Sequence, residues 1–165
     1  MNKMGRRGKT IDDFVYTLAE GDTGQYYVGT ISRAGIHRID KNGDQFIQPV
    51  DNKRVGTKAI YKSRSGEMLV GGAEGIFTIK GDRLSEHHLS KYFSKDNVTG
   101  FLEDHKDNLW ITSDLGIHLY SKGVYTYFGE RTGLKAKFFR GSYEDSAGRI
   151  YFGSYGYGLI VYING

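Results

Sequence analysis

The apolar residues of the chain fall into short runs that recur at a fixed distance. Polar Gln25, Glu67, Asn108 and Arg149 are each followed by three apolar residues: Tyr26-Tyr27-Val28, Met68-Leu69-Val70, Leu109-Trp110-Ile111 and Ile150-Tyr151-Phe152. Runs without alternation, bounded by turn residues, predict strands covered on both faces. The turn residue ahead of each run is Gly24, Gly66, Asp107 and Gly148, at separations of 42, 41 and 41 residues. A second marker follows at Gly29, Gly71, Thr112 and Gly153, and a third at Gly35, Gly75, Gly116 and Gly158. Three markers sharing one period define an internal repeat, which sets the fold reading before any other signal.

Each period reads as four strands. The first covers residues 15–18, 59–61, 98–102 and 138–143, the apolar run is the second, and the third opens on Ile36, Ile76, Ile117 and Leu159. More polar segments follow at 44–48, 84–89 and 124–128. A four-stranded antiparallel unit of about 40–45 residues is a propeller blade; stacked blades cover their middle strands and leave the outermost in water. The predicted fold is all-β: a β-propeller of four-stranded antiparallel blades in four repeats of about 41 residues, either a partial propeller or a four-bladed ring. Residues 1–165 form one propeller domain or fragment, with blades at about 14–50, 57–89, 97–128 and 138–165. The fourth unit stops after its third strand, and Arg7 to Ile11 are the candidate outer strand that would close the ring. No helix longer than about two turns is expected.

Composition fits this reading. The chain has 24 Gly, 13 Tyr and 9 Phe but one Pro, a mixture suited to short strands joined by tight turns. Hydrophobic residues at 38% and charged residues at 25% argue against disorder and against direct membrane insertion. The net charge of +4 is scattered, without the basic stripe of a nucleic-acid groove, so no nucleic-acid partner is expected. With no cysteine, disulfides and thiolate metal sites are excluded. The basic opening, residues 1–7, is not followed by the apolar run of a signal peptide. The chain is therefore expected to be cytoplasmic or a piece of a longer exported protein.

The segment Asp104-His105-Lys106-Asp107-Asn108-Leu109-Trp110-Ile111-Thr112-Ser113, followed by Gly116-Ile117, resembles the two-component regulator propeller repeat. That pattern is an Asp, two residues, a Gly, then Leu-Trp-Val/Ile-Gly-Thr and a later Gly-Leu. Asp145-Ser146-Ala147-Gly148-Arg149-Ile150-Tyr151-Phe152-Gly153-Ser154 is similar, and the first two units keep Tyr27-Val28-Gly29-Thr30 and Leu69-Val70-Gly71-Gly72. Asp107 and Thr112 depart from the pattern, and one unit alone has the tryptophan. The resemblance implies the ligand-sensing region of a bacterial hybrid sensor histidine kinase. It would be periplasmic as part of a membrane-anchored sensor, often tuned to oligosaccharides, and would contain more blades than these four.

Candidate chemistry is weighed against this frame. His37 and His118 share a repeat position held elsewhere by Phe77 and Ile160, which assigns them to packing; His87, His88 and His105 receive no chemical role. Glu20, Glu103 and Glu144 also share one position, with Asp104 and Asp145 beside two of them. A glycosidase needs two converging carboxylates, whereas repeated acids are expected to satisfy backbone donors at the hairpin turns. The Gly-rich stretches at 71–75 and 153–158 precede neither a helix nor a Lys-Ser/Thr pair and are read as strand connections.

The expected ligand site is the rim that collects the second-to-third-strand turns and the blade-to-blade connections. Tyr16, Lys58 and Arg140 lie near it at one repeat position, and rim connections add Arg33, Asp114, Tyr155 and Tyr157. Arg33, Lys58, Arg140, Tyr155 and Tyr157 are the predicted binding residues, through stacking on sugars and charge-assisted hydrogen bonds. The predicted function is non-enzymatic sensing of a small-molecule or oligosaccharide ligand, without cofactor or metal. The further partners expected are remaining blades or a second copy of the chain. The competing readings are a propeller lyase and a protein interaction scaffold.

Overall fold

The repeated turn marker sits where the backbone turns left-handed. In the computed structural model, which describes residues 11, 14–30, 35–47, 55–93 and 96–163, φ is 77° at Gly24, 86° at Gly66, 59° at Asp107 and 76° at Gly148. Glycine adopts this conformation without cost and Asp is among the residues that tolerate it, which explains the substitution in the third unit.

These turns join the first two strands of four antiparallel sheets. Blade 1 is β1 (Val15–Glu20), β2 (Tyr26–Thr30), β3 (Gly35–Asp40) and β4 (Gly43–Ile47). Blade 2 is β5 (Thr57–Lys62), β6 (Met68–Gly72), β7 (Gly75–Lys80) and β8 (Arg83–Glu86). Blade 3 is β9 (Val98–Glu103), β10 (Leu109–Ser113), β11 (Gly116–Ser121) and β12 (Val124–Gly129). Blade 4 has three strands among the described residues: β13 (Phe139–Glu144), β14 (Ile150–Ser154) and β15 (Gly158–Tyr162). Helix among the described residues is limited to two short 3-10 turns, at Ser90–Tyr92 and Glu130–Thr132, and none is long and apolar enough to cross a membrane. The proposed closing strand at Arg7 to Ile11 lies outside the described residues except for Ile11, as does Arg33.

The strands pair in sequence order and the blades stack in sequence order: β1 packs on β5, β5 on β9 and β9 on β13. This is a four-blade β-propeller architecture. Three apolar clusters fill the junctions. Tyr27 and Ile36 of blade 1 meet Ile60, Met68, Val70 and Phe77 of blade 2. Leu69 and Ile76 of blade 2 meet Val98, Phe101 and Ile111 of blade 3. Trp110 and Ile117 of blade 3 meet Phe139, Ile150 and Phe152 of blade 4. The second marker is glycine because blades approach closely there. A Cβ at Gly29 would lie 2.6 Å from Thr57 Cγ2 of blade 2, and one at Gly71 would collide with Val98 of blade 3.

The carboxylates work at the turns in two ways. Asp104 accepts from the backbone N–H groups of Lys106 and Asn108, from Asn108 Nδ2 and from the Trp110 indole at 2.8 Å. Asp145 accepts from Ala147, Arg149 and the Tyr151 hydroxyl, and the Arg149 hydrogen bonds foremost pull its pKa down to about 2. Glu103 and Glu144 instead reach back to the preceding blade, accepting from the backbone N–H of Arg64 at 2.7 Å and of His105 at 2.9 Å. Lys62 holds the equivalent position in blade 2 and donates to the Gly21 carbonyl at 2.6 Å and to Asp22. The turn rim is thus a chain of latches between consecutive blades.

Candidate functional site

The first strand of every blade carries a register shift at one repeat position. Val15 pairs with Thr30 and Thr17 with Gly29, so Tyr16 is skipped; Lys58, Thr99 and Arg140 are skipped in the same way in β5, β9 and β13. A β-bulge of this kind re-aims a side chain out of the strict alternation of a strand. The four bulge residues line one depression of about 270 Å³ among the inner strands.

Two of the four are cations that share a single carboxylate. Arg140 Nη1 lies 2.8 Å from Asp114 Oδ1, and Lys58 Nζ lies 3.5 Å from Oδ2, which also accepts from Asn97 Nδ2 at 2.7 Å. Burial pushes the Asp114 pKa up, but hydrogen bonds from Arg140 and Asn97 and the Lys58 charge hold it below the ordinary carboxylate range. One negative charge against two positive ones leaves the cluster net cationic, a field suited to an anion.

Backbone hydrogen bonds fix these connections. Asp114 N–H donates to Asn97 O at 3.1 Å, Phe138 N–H to Asp114 O at 2.9 Å, and Tyr155 N–H to Phe138 O at 3.0 Å. Phe138 adopts φ 57°, a conformation that costs a non-glycine residue energy. Of the predicted residues, Lys58 and Arg140 are brought together. Tyr155 and Tyr157 stand exposed on the β14–β15 connection, tied to the same backbone chain but outside the lining of the depression.

Thr99 and Asn97 complete the cluster and were not among the predicted residues. The bulge could have been anticipated for Thr99, which occupies the repeat position of Lys58 and Arg140. Asn97 sits in the connection ahead of β9 and has no comparable repeat signal.

On the far side of the 96–97 and 114–115 segments lies an open groove of about 850 Å³. Tyr92 and Tyr125 stack in parallel along it with centroids 3.8 Å apart, Lys91 lies 5.0 Å over the Tyr92 ring, and Tyr127 is a further lining residue. Burial above all pushes the Tyr125 hydroxyl up to about 12, so it remains a neutral donor. Behind these rings His118 is fully buried, with Nδ1 2.8 Å from Tyr125 OH and Nε2 within 2.9 Å of Ser113 Oγ and 3.2 Å of Asp96 Oδ2. A nucleophilic triad places hydroxyl and carboxylate on opposite ring nitrogens. Here Ser113 and Asp96 both face Nε2 and Ser113 is itself buried, so these residues do not form a serine triad; the hydroxyl on the opposite nitrogen is that of Tyr125. Among the described residues no three His, Asp or Glu side chains form a metal-binding group.

The chain matches no family model and no curated protein. Solved structures match it clearly. The extracellular domains of two hybrid two-component systems from B. thetaiotaomicron superpose with TM-scores of 0.74 and 0.71 at 22% and 19% identity, over 92% and 88% of this chain. The likeness is one of fold. This chain spans 20% and 19% of those domains. Virginiamycin B lyase from Staphylococcus aureus is also similar, with a TM-score of 0.68 and 16% identity over 93% of this chain and 57% of that one.

Proposed function

We propose that the chain is a non-enzymatic, ligand-sensing propeller segment of a bacterial two-component signalling protein, placed in the periplasm and recognising a glycan-derived ligand. The observation that carries this reading is the repeated β-bulge. It directs Tyr16, Lys58, Thr99 and Arg140 from four different blades into one depression, so a ligand there touches every blade at once. A ligand that bridges blades stabilises one packing of them over another, which is what a sensor must convert into a signal. Lys58 and Arg140 suit an acidic sugar group, and Tyr155 and Tyr157 of the adjoining connection suit sugar-ring stacking. The sensor-domain neighbours support the reading at the level of fold.

The second reading is a propeller lyase, favoured by the lyase neighbour and by the proximity of His118 and Asp96 to a groove. A thermal-shift screen of neutral and anionic oligosaccharides, followed by mass spectrometry of the sugar, separates the two. The sensor reading expects about 2.7 kcal/mol of added stability at a hundredfold excess over the dissociation constant, with the sugar recovered unchanged. Turnover of any oligosaccharide would replace it with the lyase.

A further inference from the structure

The open groove beside the depression lies between two consecutive connections, the one that leaves blade 2 and the one that leaves blade 3. Each connection contains a short 3-10 turn, Ser90–Tyr92 and Glu130–Thr132, and the middle residue of each turn is an exposed cation, Lys91 and Arg131. Both cations line the groove, together with Tyr92, Tyr125, Tyr127 and the 44% exposed Leu115. Its volume of about 850 Å³ is within the range of small-molecule sites.

The rings are fixed from behind. Tyr127 lies across two glycines: a Cβ at Gly116 would come within 2.7 Å of its ring, and one at Gly129 would collide with it. Its hydroxyl donates to the Leu115 carbonyl at 3.1 Å. Tyr125 is held by the parallel ring of Tyr92 and by His118, which Asp96 and Ser113 anchor in turn, all three of them buried. Rings that are already ordered lose little freedom when a ligand packs on them.

The polar groups of the groove are largely spent on one another, and this decides what it can hold. The Asp96 carboxylate faces His118 and accepts from the backbone N–H groups of Asn97 at 2.8 Å and Leu115 at 3.1 Å. Glu130 accepts from Lys137 at 2.9 Å. Lys91 stands over the Tyr92 ring, 5.0 Å from its centroid, and neither it nor Arg131 has an acidic partner among the described residues. Two cations without counter-charges, set beside ring surface, favour an anion. A sugar brings several hydroxyls, most of which would give up water here for no partner. A flat ring with one anionic group leaves nothing unpaired: the ring packs on Tyr127 and Leu115, and the anion answers the charge of Lys91 and Arg131.

We propose that this groove is a second ligand site, separate from the depression, and that it takes a small aromatic carboxylate. It stands whether or not the depression binds an oligosaccharide, because the two share no lining residue.

The test is calorimetric titration of the full chain with naphthalene-2-carboxylate, with glucuronate as a sugar of equal charge and 2-naphthol as a ring without the charge. The naphthalene acid is expected to saturate one site and to bind about tenfold or more tighter than either comparator. Replacing Lys91 and Arg131 together by Ala should weaken it about tenfold or more. Both are exposed turn positions, so the fold should survive, and circular dichroism checks that it does. Tyr127→Phe should keep binding and Tyr127→Ala should weaken it, because the ring and not the hydroxyl makes the contact. Arg140→Ala should leave naphthalene-2-carboxylate binding unchanged even where it abolishes binding of an acidic oligosaccharide, which keeps this site and the depression apart. Absence of saturable binding would overturn the proposal, as would glucuronate binding as tightly as the naphthalene acid. Binding that survives the loss of both Lys91 and Arg131, or that falls with Arg140→Ala, would contradict it equally.

Discussion

The two rims of the molecule use polar residues in opposite ways. On the turn rim five charged side chains hold the frame together. Asp104 and Asp145 satisfy their own turns, and Lys62, Glu103 and Glu144 fasten each blade to the one before. On the connection rim Lys58 and Arg140 share one carboxylate, and tyrosine rings border an open groove. The turn-rim residues keep the period of the repeat, while Asp96, Asn97, Asp114 and Tyr92 lie in connections that differ from blade to blade. Repeated chemistry builds the frame, and unrepeated chemistry added to a repeated bulge builds the candidate site.

Substitutions should separate the rims by the size and kind of their effect. Trp110→Ala removes a buried ring that packs on Phe152 and Tyr162 and donates to Asp104, and should cost about 3–5 kcal/mol. Thermal unfolding should then begin about 6–20 °C lower. Asp104→Asn comes next, at about 1–3 kcal/mol, because a buried acceptor of four hydrogen bonds loses its charge and part of its acceptor capacity.

The pH dependence of Asp104 follows from its pKa. Burial pushes it up, but hydrogen bonds from Asn108, Trp110 and Lys106 hold it below its ordinary 3.8. Its stabilisation is therefore fully present above that value and is lost as the pH falls toward the lower folded-state value. The melting-temperature gap between wild type and Asp104→Asn should accordingly narrow on acidification. A constant gap would remove the charge from the account.

Glu144→Ala, which cuts a latch to the exposed His105, should lower the melting temperature by about 2 °C or less. Arg140→Ala should have the smallest effect on the unliganded protein while abolishing any stabilisation by an acidic oligosaccharide. If instead it unfolds the chain, the bulge position belongs to the frame.

The frame was legible in the sequence because it is periodic. Four turn markers, including Asp107, fall at positive φ, and the apolar runs fill the three junction clusters. Lys58 and Arg140 were legible as a pair through their shared repeat position, although the bulge that unites them is a backbone feature with no composition of its own. The tyrosine groove was not. Tyr125 and Tyr127 lie on a strand assigned to solvent, and only their spacing of two residues hinted at a common face. Asp96 and Asn97 come from a connection, where no period constrains the sequence. The reach of Glu103 and Glu144 into the preceding blade was missed because a turn offers local donors as well as distant ones.

Hydrogen exchange of the full chain with and without an acidic oligosaccharide tests the central claim most directly, because it reads both rims at once. Ligand should slow exchange in segments 15–17, 57–60, 97–100, 114–116 and 137–141 of the connection rim, and leave the turns at 21–25, 63–67 and 104–108 unchanged. Protection confined to the turn rim, or the absence of any protection under conditions that saturate binding, would contradict the account.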